Sequence, residues 1–161
     1  MSFRSFVSRV DDLVLNITEK LAFIAPLATR IVIGLAFFRT GTGKFRHFDN
    51  VVGFFQGLGI PLPAFHAGLV ASMETFGGIA LILGLFTRFF AAGLSITMVV
   101  ALMTADTAAF LASWGSAGET SPTDITSFVF LLFLVWLIFF GAGKVSLDAL
   151  LRKVLRLESA G

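Results

Sequence analysis

From Ile125 to Gly143 the chain reads ITSFVFLLFLVWLIFFGAG, a stretch without a single charged residue. As a helix it nearly crosses the ~30 Å of a bilayer's hydrocarbon core, and being apolar on every side it has no face to offer water. The rest of the chain has the same character, with 57% hydrophobic and only 14% charged residues. That balance is far from a soluble domain's. It defines an all-α integral membrane protein in which 161 residues form a single domain, 1–161, with short connections.

Four spans are expected, at about 21–41, 64–85, 89–112 and 125–143, forming a four-transmembrane-helix bundle. Asp124 or Thr123 is the expected cap of the fourth. Residues 3–20 place apolar side chains at helical spacing between charges, and 146–158 return to a basic amphipathic pattern. Both are predicted to be amphipathic helices on the membrane surface. The acidic residues Asp11, Asp12 and Glu19 argue against a cleaved signal. Between Arg39 and Pro63, RTGTGKFRHFDN reads as a surface loop and VVGFFQGLG as a short interfacial helix. Eight Lys and Arg flank the ends and second loop against three in the first loop, which places both termini in the cytoplasm.

The chain has no cysteine and no tyrosine. Thiol nucleophiles, disulfides, cysteine-ligated clusters and tyrosyl chemistry are therefore excluded. The small net charge of +2, carried in the flanks, is an orientation signal and not a nucleic-acid surface. GTGK at Gly41–Lys44 fails as a phosphate loop: the earlier glycine would fall at Phe38, and Phe45 follows the lysine. His47 and His66, with Asp49, offer too few ligands in a loop to define a metal site, and none is expected.

The ionisable residues inside the spans carry the chemistry, because each costs ~2.5–3.5 kcal/mol or more in hydrocarbon. Arg30 lies about nine residues into the first span and Glu74 about ten into the second, each ~14 Å from its own surface. Equal depth predicts an intramembrane ion pair, with Gly34, Gly77 and Gly78 letting the helices approach. Toward the outer ends, Arg39, Lys44, His47, His66 and Asp106 are expected to gather as a polar rim. That rim either holds a ligand such as a quinone head group or consists of anchors reaching for water.

The pattern R-x-x-x-G-x-x-F at Arg30, Gly34 and Phe37, with Gly41 and Lys44 beyond it, is followed by E-x-x-G-G at Glu74, Gly77 and Gly78. Then come Gly84, Leu85, Thr87 and Arg88, and finally Gly141, Gly143, Lys144, Ser146, Leu147 and Asp148. Over about Ala25 to Leu150 this order resembles the DoxX family. The resemblance implies a four-helix bacterial inner-membrane protein working beside other membrane or peripheral oxidoreductase subunits, as in quinone-dependent sulfur oxidation or oxidative-stress defence. It supplies no catalytic residue set. The readings open at this point are a redox subunit that binds a quinone or anchors an oxidoreductase, a non-enzymatic scaffold or assembly factor, and a small-solute or proton pathway. Glycine-rich faces also permit a homo-oligomer.

Overall fold

A computed structural model describes residues 14–16, 18–115 and 121–158, and the described residues contain helices and no strand. The elements are α1 (Ile24–Arg46), α2 (Phe48–Gly57), α3 (Pro63–Leu83), α4 (Thr87–Met103), α5 (Thr107–Ala112), a 3-10 turn (Pro122–Asp124), α6 (Thr126–Phe140) and α7 (Leu147–Glu158). Most of the amphipathic stretch 3–20 lies outside the described residues; Val14–Asn16 and Thr18–Lys20 within it are helical.

α1 and α3, of 23 and 21 residues, are long and apolar enough to cross a bilayer; α4 and α6, of 17 and 15, are apolar but shorter. α1 packs along α3 and α4 along α6, and the contact of α3 with α4 joins the two pairs. Ile33, Phe37, Leu81, Leu94, Met98, Leu134 and Leu137 meet in the middle as one core. Outward, Val32, Phe65, Phe76, Phe89, Ile96, Phe139 and Phe140 are exposed. A water-facing surface does not carry an apolar belt of that extent, and hydrocarbon is its natural solvent.

Three departures from the sequence reading have local causes. The segment RTGTGKFR is not a surface loop but the last two turns of α1, which runs to Arg46. The first of its two glycines, Gly41, lies against α3: a Cβ there would fall 2.5 Å from the Thr75 backbone nitrogen and 2.9 Å from the Ala71 carbonyl. The third apolar segment is broken at Thr104–Asp106 between α4 and α5, where the Asp106 N–H turns back to the Ala101 carbonyl at 2.9 Å. Asp124 caps the 3-10 turn and not α6: its carboxylate accepts from the Ser121 N–H at 2.7 Å while Ser121 caps in return.

Two sharp turns set the ends of the bundle. At the α3–α4 turn Gly84 has φ +68° and Phe86 φ +46°, and at the exit of α6 Gly141 has φ +74°. The glycines enter this left-handed region without steric cost, so α3 and α6 stop there.

Candidate functional site

The seam between α1 and α3 is built by small residues. A Cβ on Gly34 would lie 2.7 Å from the Gly78 carbonyl, and one on Gly78 only 2.6 Å from the Phe38 nitrogen. The backbones therefore touch, as in close-packed membrane helices. Gly77, one residue along, packs instead against Leu94 of α4.

In this seam Lys44 Nζ donates to Glu74 Oε2 at 2.6 Å, the sole ion pair among the described residues. The glutamate side chain is 4% exposed and the lysine 27%. A buried carboxylate is thus held by an ammonium that reaches the surface.

Arg30 is not its partner. Gly34 faces Gly78 and Ile82, Gly41 faces Ala71 and Thr75, and these close approaches set a register in which Arg30 faces Gly84. Glu74 sits opposite the Gly41 turn, about ten residues or ~15 Å along α3 from Gly84. Measuring each residue's depth from its own helix end assumed that the helices begin and end level. They do not, and the expected Arg30–Glu74 pair gives way to Lys44–Glu74.

The outer-rim residues do not join into one hydrogen-bonded site. Arg39 and His47 are exposed. His66 donates through Nδ1 to the Pro61 carbonyl at 2.7 Å and meets the Phe65 ring edge-on, which ties it to its own turn. Asp106 belongs to the α4–α6 pair, where it accepts from Ser127 Oγ at 2.5 Å. Only Lys44 of the five contacts a residue singled out inside the spans. Among the described residues no three of His, Asp and Glu come together as metal ligands.

At the other end of the bundle, motif residues from all four long helices or their connections converge. Arg30 is 1% exposed; its Nη1 donates to the Ala142 carbonyl at 2.6 Å and its Nη2 to the Val145 carbonyl at 2.8 Å. It thereby satisfies carbonyls freed where α6 has ended. A Cβ on Gly84 would overlap the guanidinium, and one on Gly143 would meet Pro26 at 2.8 Å, so both glycines are required by close approach as well as by backbone angle. Asp148 donates its own N–H to the Gly84 carbonyl at 2.9 Å, and its carboxylate accepts from the Phe86 and Thr87 N–H groups at 2.7 and 3.0 Å. A carboxylate at the start of α4 meets both the free N–H groups and the positive end of the helix dipole. Ser146 caps α7 by accepting from the Ala149 N–H at 3.1 Å. Arg88 Nη2 donates to the Phe139 carbonyl at 3.1 Å.

The roles of Asp148 and Ser146 were not assigned from sequence. Their signal was the spacing S-L-D after a G-x-G turn, a capping pattern whose second target lies about sixty residues upstream and so is invisible locally.

Among the described residues, a helical bundle with an exposed apolar belt, small-residue seams and arginine-clamped helix ends defines a helical membrane protein. The family model described as DoxX matches residues 25–118, more than half of the chain, and the chain belongs to the DoxX family. An uncharacterized membrane protein of Mycobacterium tuberculosis, Rv3486, is 35% identical over 136 residues, covering 79% of this chain and 81% of that protein. The Bacillus subtilis protein named "Putative oxidoreductase CatD" is 33% identical over 81 residues, covering half of this chain and 59% of that relative, less than two thirds of its length. No solved structure gives a significant match.

Proposed function

We propose that the chain is the membrane-embedded subunit of a redox assembly, seating a quinone head group at Lys44–Glu74 while an oxidoreductase partner supplies the electrons. The observation that carries this reading is the buried Glu74 carboxylate held at 2.6 Å by a lysine open to the surface. An ionisable residue kept inside a membrane bundle against its desolvation cost marks a functional position. The donor set fits the ligand: an ammonium can donate to a quinone carbonyl oxygen, and a carboxylate can take up and release a proton.

Reduction of a quinone consumes two electrons and two protons. The chain has no cysteine or tyrosine to carry electrons, so a partner must donate them, consistent with a relative that bears the name of an oxidoreductase. In this reading Lys44 orients the carbonyl oxygen and stabilises negative charge on it, and Glu74 relays a proton along the lysine's path to water. Arg39 and His47 act at the boundary as anchors reaching for water, while His66 and Asp106 are held by the Pro61 carbonyl and the Ser127 hydroxyl. α1, α3, α4 with α5, and α6 each cross the bilayer, and the Lys and Arg distribution sets both ends on the cytoplasmic side of a bacterial inner membrane.

The test is titration of the purified chain in detergent with decylubiquinone. Saturable binding weakened about tenfold or more in Glu74→Gln and Lys44→Met, a loss of ~1.4 kcal/mol, is the expected result. Absence of saturable binding, or equal binding by both folded variants, would leave the ion pair as a purely structural tie between α1 and α3.

A further inference from the structure

The end of the molecule opposite Lys44 carries a feature that the redox reading does not use. Two adjoining cavities, of about 570 and 560 Å³, open between α7 and the start of α4. They share Arg88, Asp148 and Arg152. The first is walled on its polar side by four cations, Arg88, Lys144, Arg152 and Lys153, and the second by Phe86, Phe89, Leu151 and Leu155.

The one carboxylate in the cleft offsets at most one of the four charges and forms no ion pair with any of them. Both Asp148 oxygens accept N–H groups of the α4 N-terminus. Among the described residues no carboxylate lies within ion-pair distance of any of the four. All four are exposed, and Arg88 spends only one hydrogen bond, on the Phe139 carbonyl. Like charges converging on one concavity call for an anion.

We propose that this cleft binds an anionic phospholipid of the adjacent leaflet, its phosphate among Arg88, Lys144, Arg152 and Lys153 and an acyl chain along the Phe86–Leu155 trough. Charge complementarity selects the phosphate, and the apolar trough continuous with the cationic cleft selects a lipid over a soluble ion. The setting agrees. Leu147, Leu150, Leu151, Val154 and Leu155 are exposed at spacings that place them on one face of α7. An amphipathic helix of this kind lies at the boundary where head groups are found. The bound lipid would bridge α7 to the α4 N-terminus, fastening the surface helix to the bundle beside the Asp148 cap.

The experiment uses the full chain, delipidated in a neutral detergent, with dihexanoyl-phosphatidylglycerol, dihexanoyl-phosphatidylcholine and inorganic phosphate as separate probes, read by native mass spectrometry and isothermal titration. Phosphatidylglycerol should bind about tenfold or more tighter than phosphatidylcholine, and the double variant Arg152→Gln/Lys153→Gln should bring it down to the phosphatidylcholine level. Inorganic phosphate should not bind at concentrations that saturate the phosphatidylglycerol site. Both substituted side chains are exposed, so the variant's melting temperature should stay near the parent's; Lys144→Gln serves as a second, independent probe with a smaller loss in the same direction. Equal affinity for the two lipids, phosphate binding as tight as phosphatidylglycerol, or unchanged phosphatidylglycerol binding in both variants would each overturn the proposal.

Discussion

Replacing Arg30 by alanine removes the clamp that holds the α6–α7 connection against α1. Its two charge-assisted hydrogen bonds, to the Ala142 and Val145 carbonyls, are each of a kind that contributes ~1.5–3 kcal/mol, or ~3–6 together. Against this stands the relief of no longer burying a guanidinium, ~2.5 kcal/mol or more, while the cavity left behind adds to the loss. The net expectation is a destabilisation of ~3 kcal/mol, which for a chain of this size lowers the melting temperature by roughly 6–12 °C. An ordinary interhelical hydrogen bond in a membrane protein averages only ~0.6 kcal/mol, so the two cases are separable. The assay is thermal unfolding in detergent, followed by circular dichroism at equal protein-to-detergent ratio. Arg30→Lys, which lacks the planar fork that reaches two carbonyls at once, should recover no more than about half the loss. A melting point for Arg30→Ala within 2 °C of the parent, a shift of under ~1 kcal/mol, would refute the clamp.

Breaking Lys44–Glu74 from either side should cost about 2 kcal/mol, less than a fully buried pair because Lys44 reaches solvent, and the double variant Lys44→Met/Glu74→Gln should regain most of it in a double-mutant cycle. Additive losses would show that the two side chains are not coupled. Gly34→Ala and Gly78→Ala, whose new methyls would meet backbone atoms at 2.7 and 2.6 Å, should each lose ~1–3 kcal/mol. Gly43→Ala, with nothing within 4 Å, should be neutral or stabilising by up to ~1 kcal/mol; equal effects at all three would rule out the tight α1–α3 seam. A cysteine in place of exposed Gln56 should react with an impermeant maleimide added outside intact cells and one in place of Lys153 should not, a clean test in a chain with no native cysteine. The opposite labelling would invert the orientation.

Much of the architecture was legible because it follows from local chemistry. Apolar segments of helical length, the GIPLP break before α3 and the Gly84 turn are each set by residues a few positions apart. The approach of α1 and α3 was also readable, since Gly34 and Gly78 leave no side chain between them. What sequence did not carry was register. A slip of about ten residues between α1 and α3, fixed by the Gly34–Gly78 and Gly41–Thr75 contacts, exchanged the partner of Glu74 from Arg30 to Lys44. The junction at the opposite end shows the same limit. Arg30, Gly84, Gly141 and Asp148 stood out as motif residues, but that an arginine from α1 caps carbonyls between α6 and α7 depends on contacts across more than a hundred positions. Asp106 likewise pointed toward the rim, and its Ser127 partner became visible only when α4 and α6 were set side by side.

The quinone seat at Lys44–Glu74 is tested most directly by covalent mapping. A photoreactive azidoquinone illuminated with the purified chain in lipid nanodiscs, followed by peptide mass spectrometry, should label the segments around Lys44 and Glu74. Excess decylubiquinone should protect both segments, and Glu74→Gln should reduce the labelling. Crosslinks confined to the Arg88–Lys153 end, or labelling at Lys44 and Glu74 that excess quinone fails to suppress, would contradict the assignment.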